Sequence, residues 1–282
     1  MKVAVVGARG QLGAAVVLEC QGRHQVIPFD KSALDVTDSA AVDSAMRKAG
    51  ADVIVNCTGY NAVDAAEDHP VDALQINGLA VRSLARAARA HGSTLVHYGS
   101  DFVFDGRGAS PYAETDRPNP QSVYAMSKLL GEWFAADAPR AYVLRVESLF
   151  GAATPEHSLR GSLAGIVAAL QAKTRPTVVA DRTVSPTFII DAARATRELL
   201  EREAAPGLYH CVNSGHATWL DVAREAARLL GVDPLFDVVG FEDMKLRATR
   251  PRYCALSNDK LASVGIDMPT WRDALSRYLK AS

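Results

Sequence analysis

The chain has 282 residues, of which 48% are hydrophobic and 22% charged. That is enough apolar material for one large domain, or for a nucleotide domain with a smaller second lobe, and too much for a disordered chain. A formal net charge of -1 with scattered basic residues excludes a surface built for nucleic acid or an anionic membrane.

Lys2–Val6 reads as a short apolar strand. It runs into the turn Gly7-Ala8-Arg9-Gly10-Gln11-Leu12-Gly13, and a helix continues to about Cys20. Gln25–Phe29 is a second strand ending at Asp30. A polar helix over 39–49 leads to the buried strand 52–57, and a long helix is expected over 71–90. The next strand, 94–98, ends in Gly99-Ser100-Asp101. A loop rich in Gly, Pro and Asp follows to Ser122, then the helix that carries Tyr124 and Lys128, then the strand 142–146. Beyond Gly151 helices near 162–173, 189–202, 220–230 and 271–279 alternate with short strands at 177–180 and 208–212. The alternation predicts a doubly wound, Rossmann-type parallel sheet with helices on both faces. Residues 1–150 make the dinucleotide domain, with later segments interleaved. Residues 151–282 make mainly a smaller C-terminal α/β substrate lobe.

Ligands of such sheets bind beyond the C-terminal strand ends. Gly7, Asp30, Cys57 and Ser100 all stand there, which argues for one shared site. The glycine turn, between a strand and a helix, suits a pyrophosphate against the helix N-terminus, although glycine turns also join such elements without a ligand. Gly7, Arg9, Gly10, Gln11, Leu12 and Gly13 are therefore assigned to a dinucleotide. Asp30 suits the adenosine ribose, Lys31 and Arg9 suit a 2′-phosphate, and Asp35-Val36 suits the adenine; a plain polar loop is the other reading. Cys57, Thr58, Gly59 and Tyr60, just past the third strand, join this set with Asn77, which also reads as a backbone brace.

Tyr124 and Lys128 are one helical turn apart on one face. An ammonium beside a phenol favours the phenolate, so Lys128 is expected to lower the Tyr124 pKa and make it a proton carrier. Ser100 is placed to hold the oxygen being reduced. His97 and His210 read as packed core residues, and Asp64 and Glu67 as a structural helix face. No cluster has metal-ligand spacing, so no metal is assigned. The cysteines Cys20, Cys57, Cys211 and Cys254 are far apart and read as reduced thiols. With no leader pattern and no apolar run of membrane-spanning length, the expected location is the cytoplasm.

Taken together, these residues resemble the extended short-chain dehydrogenases, and among them the dTDP-4-dehydrorhamnose reductase branch. The matching stretches include Gly7-x-x-Gly10-Gln11-Leu12-Gly13, Gly99-Ser100-Asp101-Phe102-Val103-Phe104-Asp105-Gly106, Tyr124-x-x-Ser127-Lys128-x-x-Gly131-Glu132 and Ser185-Pro186-Thr187. The resemblance implies an NAD(P)H-dependent reduction of the C4 keto group of a nucleotide-linked 4-keto-6-deoxy sugar. Ser100, Tyr124 and Lys128 would be catalytic, and Ser100, Asp101, Phe102, Ser148 and Phe150 would face the substrate. NADPH and NADH are both expected to serve. The partner is a nucleotide sugar, with no nucleic acid and no membrane, and a homodimer left open. Another sugar reductase, an epimerase, or a non-catalytic subunit like that of methionine adenosyltransferase are the rival readings. One departure stands out. The family usually reads Arg-Thr-Ser-Trp where this chain has Arg145-Val146-Glu147-Ser148, so a serine falls where an indole wall is usual. The expectation is a substrate that differs from dTDP-4-keto-rhamnose at C5, C6 or the nucleotide. The space is expected to be filled by Leu149, Phe150 or a shifted segment 152–159.

Overall fold

The computed structural model describes residues 1–153 and 161–281. Its first element is β1 (Lys2–Val6), followed by α1 (Gln11–Cys20), β2 (Gln25–Phe29), α2 (Ser39–Ala49), β3 (Val53–Asn56) and α3 (Val63–Asp68). Then come α4 (Pro70–Leu74), α5 (Ala80–His91), β4 (Thr94–Ser100), α6 (Val123–Ala135), β5 (Ala141–Val146) and β6 (Leu149–Phe150). The rest is α7 (Ser162–Gln171), β7 (Thr177–Val179), β8 (Thr183–Val184), β9 (Thr187–Phe188), α8 (Ile189–Glu201), β10 (Gly207–His210), β11 (Ala217–Thr218), α9 (Trp219–Leu230), β12 (Asp237–Val239), α10 (Asp259–Ser263) and α11 (Trp271–Ala281).

One six-stranded sheet has the order β10-β5-β4-β3-β1-β2, and every pairing in it is parallel. This is the doubly wound sheet that the alternation of elements predicts. The strands alternate sides as period-2 backbones must. Val3, Val5, Val53, Val55, Val96 and Leu144 point into one apolar cluster with α1 and α8. Ala4, Val6, Ile54, Leu95 and Val143 point into another with α2 and α5. Both faces are covered, which is why these strands read as nearly continuous apolar runs. The order reverses at β1, between β2 and β3, and the crevice opens there.

Past β5 the chain makes three small sheets, β6–β9, β7–β12 and β8–β11, which support the C-terminal α/β region. Two later segments return to the main sheet: α8 packs on α1, and β10 pairs with β5. Trp271 and Tyr278 of α11 close the same core.

The helix expected over 71–90 is interrupted. Residues Gln75–Leu79 form a wide π turn between α4 and α5. Asn77 sits in that turn, buried. Its Oδ1 accepts from the Tyr60 backbone N–H (2.8 Å), and its Nδ2 donates to Tyr60 O (3.1 Å) and Ser127 Oγ (2.9 Å). Single-turn bulges of this kind let one side chain reach inward. Apolar periodicity carries no mark of them.

Candidate active site

The local structure explains how the two signature residues come to lie where they do. α6 starts where Ser122 caps it, its Oγ accepting from Ala125 N (3.2 Å), while Glu67 accepts the Val123 N–H (2.9 Å). Two orphan donors of the first turn are thus satisfied, and Glu67 has the structural part read for it. Asp64 is structural too, accepting from Ala248 N (3.0 Å) and Arg250 (2.7 Å). Tyr124 and Lys128 follow one turn apart, both buried.

Ser100 ends β4, beside them. It shares a cavity of about 330 Å³ with Gly10, Gln11, Leu12, Cys57, Thr58, Asp101, Phe102, Tyr124, Lys128, Glu147 and Ser148. The sequence-predicted residues from four separate regions therefore meet in one place. An adjoining cavity of about 540 Å³ is bounded by Gly7, Arg9, Gly10, Asp30, Lys31, Asp35, Val36, Cys57, Thr58 and Gly59. Cys57 and Thr58 border both, so the two form a continuous trough along the strand ends.

The glycine turn builds its near end. Gly7 has φ +83, a conformation that other residues rarely adopt. A Cβ on Gly13 would run into the Gly7 carbonyl, so α1 packs directly under the turn. Gly13 supports the turn from below and does not line the trough. Gly10 caps α1 with no side-chain hydrogen bond, and the first turn of α1 carries no acid. Its N–H groups and dipole are free to meet an anion. Gln11 lines the cavity and donates to Gly151 O (2.6 Å). Asp30 Oδ1 accepts from Ser32 N (2.9 Å) and Ser32 Oγ (2.6 Å), and Arg9 Nε lies 3.2 Å from Asp30 Oδ2. The Ser32 hydroxyl is the main reason the Asp30 carboxyl stays below the usual range, with Arg9 adding to it.

Three expectations need correction. Phe150 does not reach the substrate cavity. Its ring stacks on Phe188 (5.4 Å) and meets Tyr278 edge-on (5.5 Å), because β6 turns it into the core. Asn77 and Tyr60 are not trough walls: Asn77 braces the Tyr60 backbone, and Tyr60 packs in the small cluster around Tyr124. Lys128 does not lower the Tyr124 pKa here. Its Nζ donates to Tyr98 O (2.6 Å). Burial raises the Tyr124 phenol well above its ordinary value, the Asp101 charge raises it further, and a Ser100 hydrogen bond opposes both only in part. Lys128 itself is pulled down to about 8 by burial, opposed by Glu132. A phenol kept protonated is the form that can donate a proton.

Asp101 and Phe102 line the cavity. Phe102 meets Tyr124 edge-on at 5.2 Å. Ser148 lines the cavity with φ 43, a left-handed conformation uncommon for a non-glycine residue. Leu149 joins the lining, while residues 154–160, part of the segment considered for the same space, lie outside the described residues. His97 and His210 are buried as read, and burial pushes both imidazoles down, His210 to about 3.

Several residues of the site escape a reading by motif. Arg182 reaches it from the loop before β8, and Cys254 from the segment before α10. Neither stands in a local pattern that marks it for the site, Arg182 lying in the polar run Asp181-Arg182-Thr183. Among the described residues, Asp101, Glu147 and Cys254 bring one potential ligand atom each within 4.8 Å of one another.

A family model described as the RmlD substrate binding domain matches residues 1–282. A dTDP-4-dehydrorhamnose reductase of Streptomyces griseus is 34% identical over 288 residues, covering 98% of this chain and 92% of that protein. The crystal structure of a dTDP-4-dehydrorhamnose reductase from Clostridium acetobutylicum ATCC 824 superposes with a TM-score of 0.93 at 31% identity, covering 100% of this chain and 99% of that one. That of the Bacillus anthracis str. Ames enzyme in complex with NADP gives 0.93 at 28% identity, with 100% of each chain covered.

Proposed function

The chain belongs to the RmlD substrate binding domain family, and from that premise we propose that it uses NAD(P)H to reduce the C4 keto group of a dTDP-linked or similar nucleotide-linked 4-keto-6-deoxy sugar. The observation that carries this reading is the single trough in which the glycine turn, Ser100, Tyr124 and Lys128 meet.

The trough suits a dinucleotide on its own terms: a glycine turn in which a Cβ on Gly13 would strike the Gly7 carbonyl, an uncapped helix N-terminus, and a larger polar-rimmed cavity past β2. The N–H groups opening α1 would hold the pyrophosphate. Asp30 and Lys31 would meet the adenosine ribose, and Asp35 and Val36 the adenine. When bound, the nicotinamide supplies a hydride to C4. Tyr124, kept protonated by burial, donates its proton to the oxygen as negative charge develops there. Ser100 donates a hydrogen bond to the same oxygen, and the Lys128 ammonium adds a nearby positive charge and binds the nicotinamide ribose. Much of the rate comes from holding the carbonyl against these groups in line with the donor. Glu147, Ser148 and Leu149 line the sugar side of the cavity, with Ser185 and β9 of the later region packed behind them, and the setting of this chemistry is the cytoplasm.

Cofactor choice rests on a balance. Asp30 repels a 2′-phosphate; Arg9 and Lys31 attract it, and Arg9 is already paired with Asp30. Both cofactors should serve, with kcat/KM within about a hundredfold of each other. Ser148 and Glu147 make the sugar wall smaller and more polar than an indole would. The test is oxidation of NADH and NADPH by dTDP-, UDP- and GDP-linked 4-keto-6-deoxyhexoses assayed side by side. Turnover with at least one of them supports the reading. Tight cofactor binding with no turnover on any would overturn it.

A further inference from the structure

Ser100, Asp101 and Glu147 form a row behind the reacting position. The Ser100 hydroxyl donates to Asp101 Oδ1 (3.0 Å). Glu147 Oε2 accepts the Ser185 backbone N–H (2.6 Å). Each carboxyl thus has one oxygen occupied. The other two, Asp101 Oδ2 and Glu147 Oε1, are buried without a hydrogen-bond partner. Asp101 is 3% exposed and Glu147 2%, and an oxygen of each lies within 4.8 Å of the other. A hydrogen bond between them requires that one carry a proton. Two bare carboxylates with orphaned oxygens at that range would repel each other and lack solvation. One proton turns an acceptor into a donor and satisfies both.

The other charged and titratable groups facing the pair are Arg182, Cys254, Tyr124 and Tyr253. Arg182 donates to Pro251 O (3.1 Å) and Cys254 Sγ (3.4 Å) and lies over the Phe102 ring. One guanidinium attracts both acids but balances the charge of only one. Burial pushes Asp101 up to about 6. Burial raises Glu147 as well, and the Asp101 charge adds to that rise.

We propose that Glu147 stands protonated at neutral pH and donates to Asp101, fixing it and weakening its pull on the Ser100 hydrogen, so that Glu147 is a positioning residue of the reduction. The proposal rests on the reading of Ser100 as the group that meets the carbonyl oxygen. A bare Asp101 carboxylate would keep the Ser100 hydrogen for itself. One already accepting from Glu147 releases it to the incoming carbonyl.

Two variants and two readouts test this. Infrared spectra of the whole protein near neutral pH should contain the C=O stretch of a protonated carboxyl, and Glu147→Gln should abolish it. In turnover, Glu147→Ala should lose about tenfold or more in kcat with NADPH affinity unchanged. Glu147→Gln, a permanent neutral donor, should restore most of that loss. Absence of the carboxyl band from the native protein refutes the proton on Glu147. A folded Glu147→Gln protein as slow as Glu147→Ala refutes the positioning role. A Ser100→Ala enzyme as fast as wild type, with the band intact, refutes instead the reading of Ser100.

Discussion

The wall of the cavity that holds Gly10, Ser100, Tyr124 and Lys128 is made where β1, β4 and α6 meet, inside the parallel-sheet layer. The facing wall, with Glu147, Ser148 and Leu149, comes from the end of β5 and the start of β6. The first wall is held by backbone: a glycine turn, a capped helix start and strand ends in fixed register. The second is held by contacts to distant segments, such as Glu147 to the Ser185 backbone, and carries a left-handed serine. Backbone geometry constrains residue type at fixed spacing, while a side-chain wall can be rebuilt without disturbing the sheet. On this account the first wall carries the groups that meet the carbonyl, and the second carries the choice of sugar, with Glu147 acting on the chemistry only through Asp101.

The strongest blow to the comparison falls on the first wall. Tyr124→Phe should lower kcat by about 10²- to 10⁴-fold and leave the NADPH dissociation constant nearly unchanged. A Phe variant at wild-type kcat would show that the proton comes from elsewhere, the Asp101–Glu147 pair included.

A smaller effect, still on the first wall, is set by pH. Burial lowers Lys128 to about 8, so its ammonium is lost as pH rises through that value. Above it, kcat/KM should fall by up to tenfold per pH unit, and below it this group should impose no loss. The pH profile of the free enzyme checks this. In Lys128→Met the limb should disappear and activity should be low throughout.

These two walls were not equally legible. The strand–helix alternation and the residues at the strand ends could be read in order, because each rests on a local pattern: a glycine turn, a cap, a period. The YxxxK pair was legible for the same reason. What failed was long-range or contextual. Phe150 reads as a pocket aromatic until β6 is seen to turn it onto Phe188. Lys128 reads as a partner for the phenol until its Nζ is seen on Tyr98 O. Arg182 and Cys254 meet Asp101 only through tertiary folding, and the π turn at Asn77 leaves no periodic trace.

The smallest effect belongs to the second wall. Ser148→Trp adds an apolar surface at a position where the backbone is left-handed, so part of the gain is offset by strain of about 1 kcal/mol. It should improve kcat/KM for dTDP-4-keto-6-deoxy sugars a few-fold relative to the wild type and leave cofactor affinity alone. A loss on every sugar, with the fold intact, would mean that the space at Ser148 is already filled and that the two walls are not separable.

The central claim is that the trough transfers hydride to the C4 carbonyl of a nucleotide-linked sugar. It is tested most directly by running the reaction with NADPH deuterated at the transferring position of the nicotinamide and examining the product by NMR. The account predicts one deuterium at C4 of the sugar, with the new hydroxyl on that carbon, for each cofactor oxidised. Cofactor oxidation with no deuterium at C4, or no oxidation by any nucleotide-linked 4-keto sugar, would contradict it.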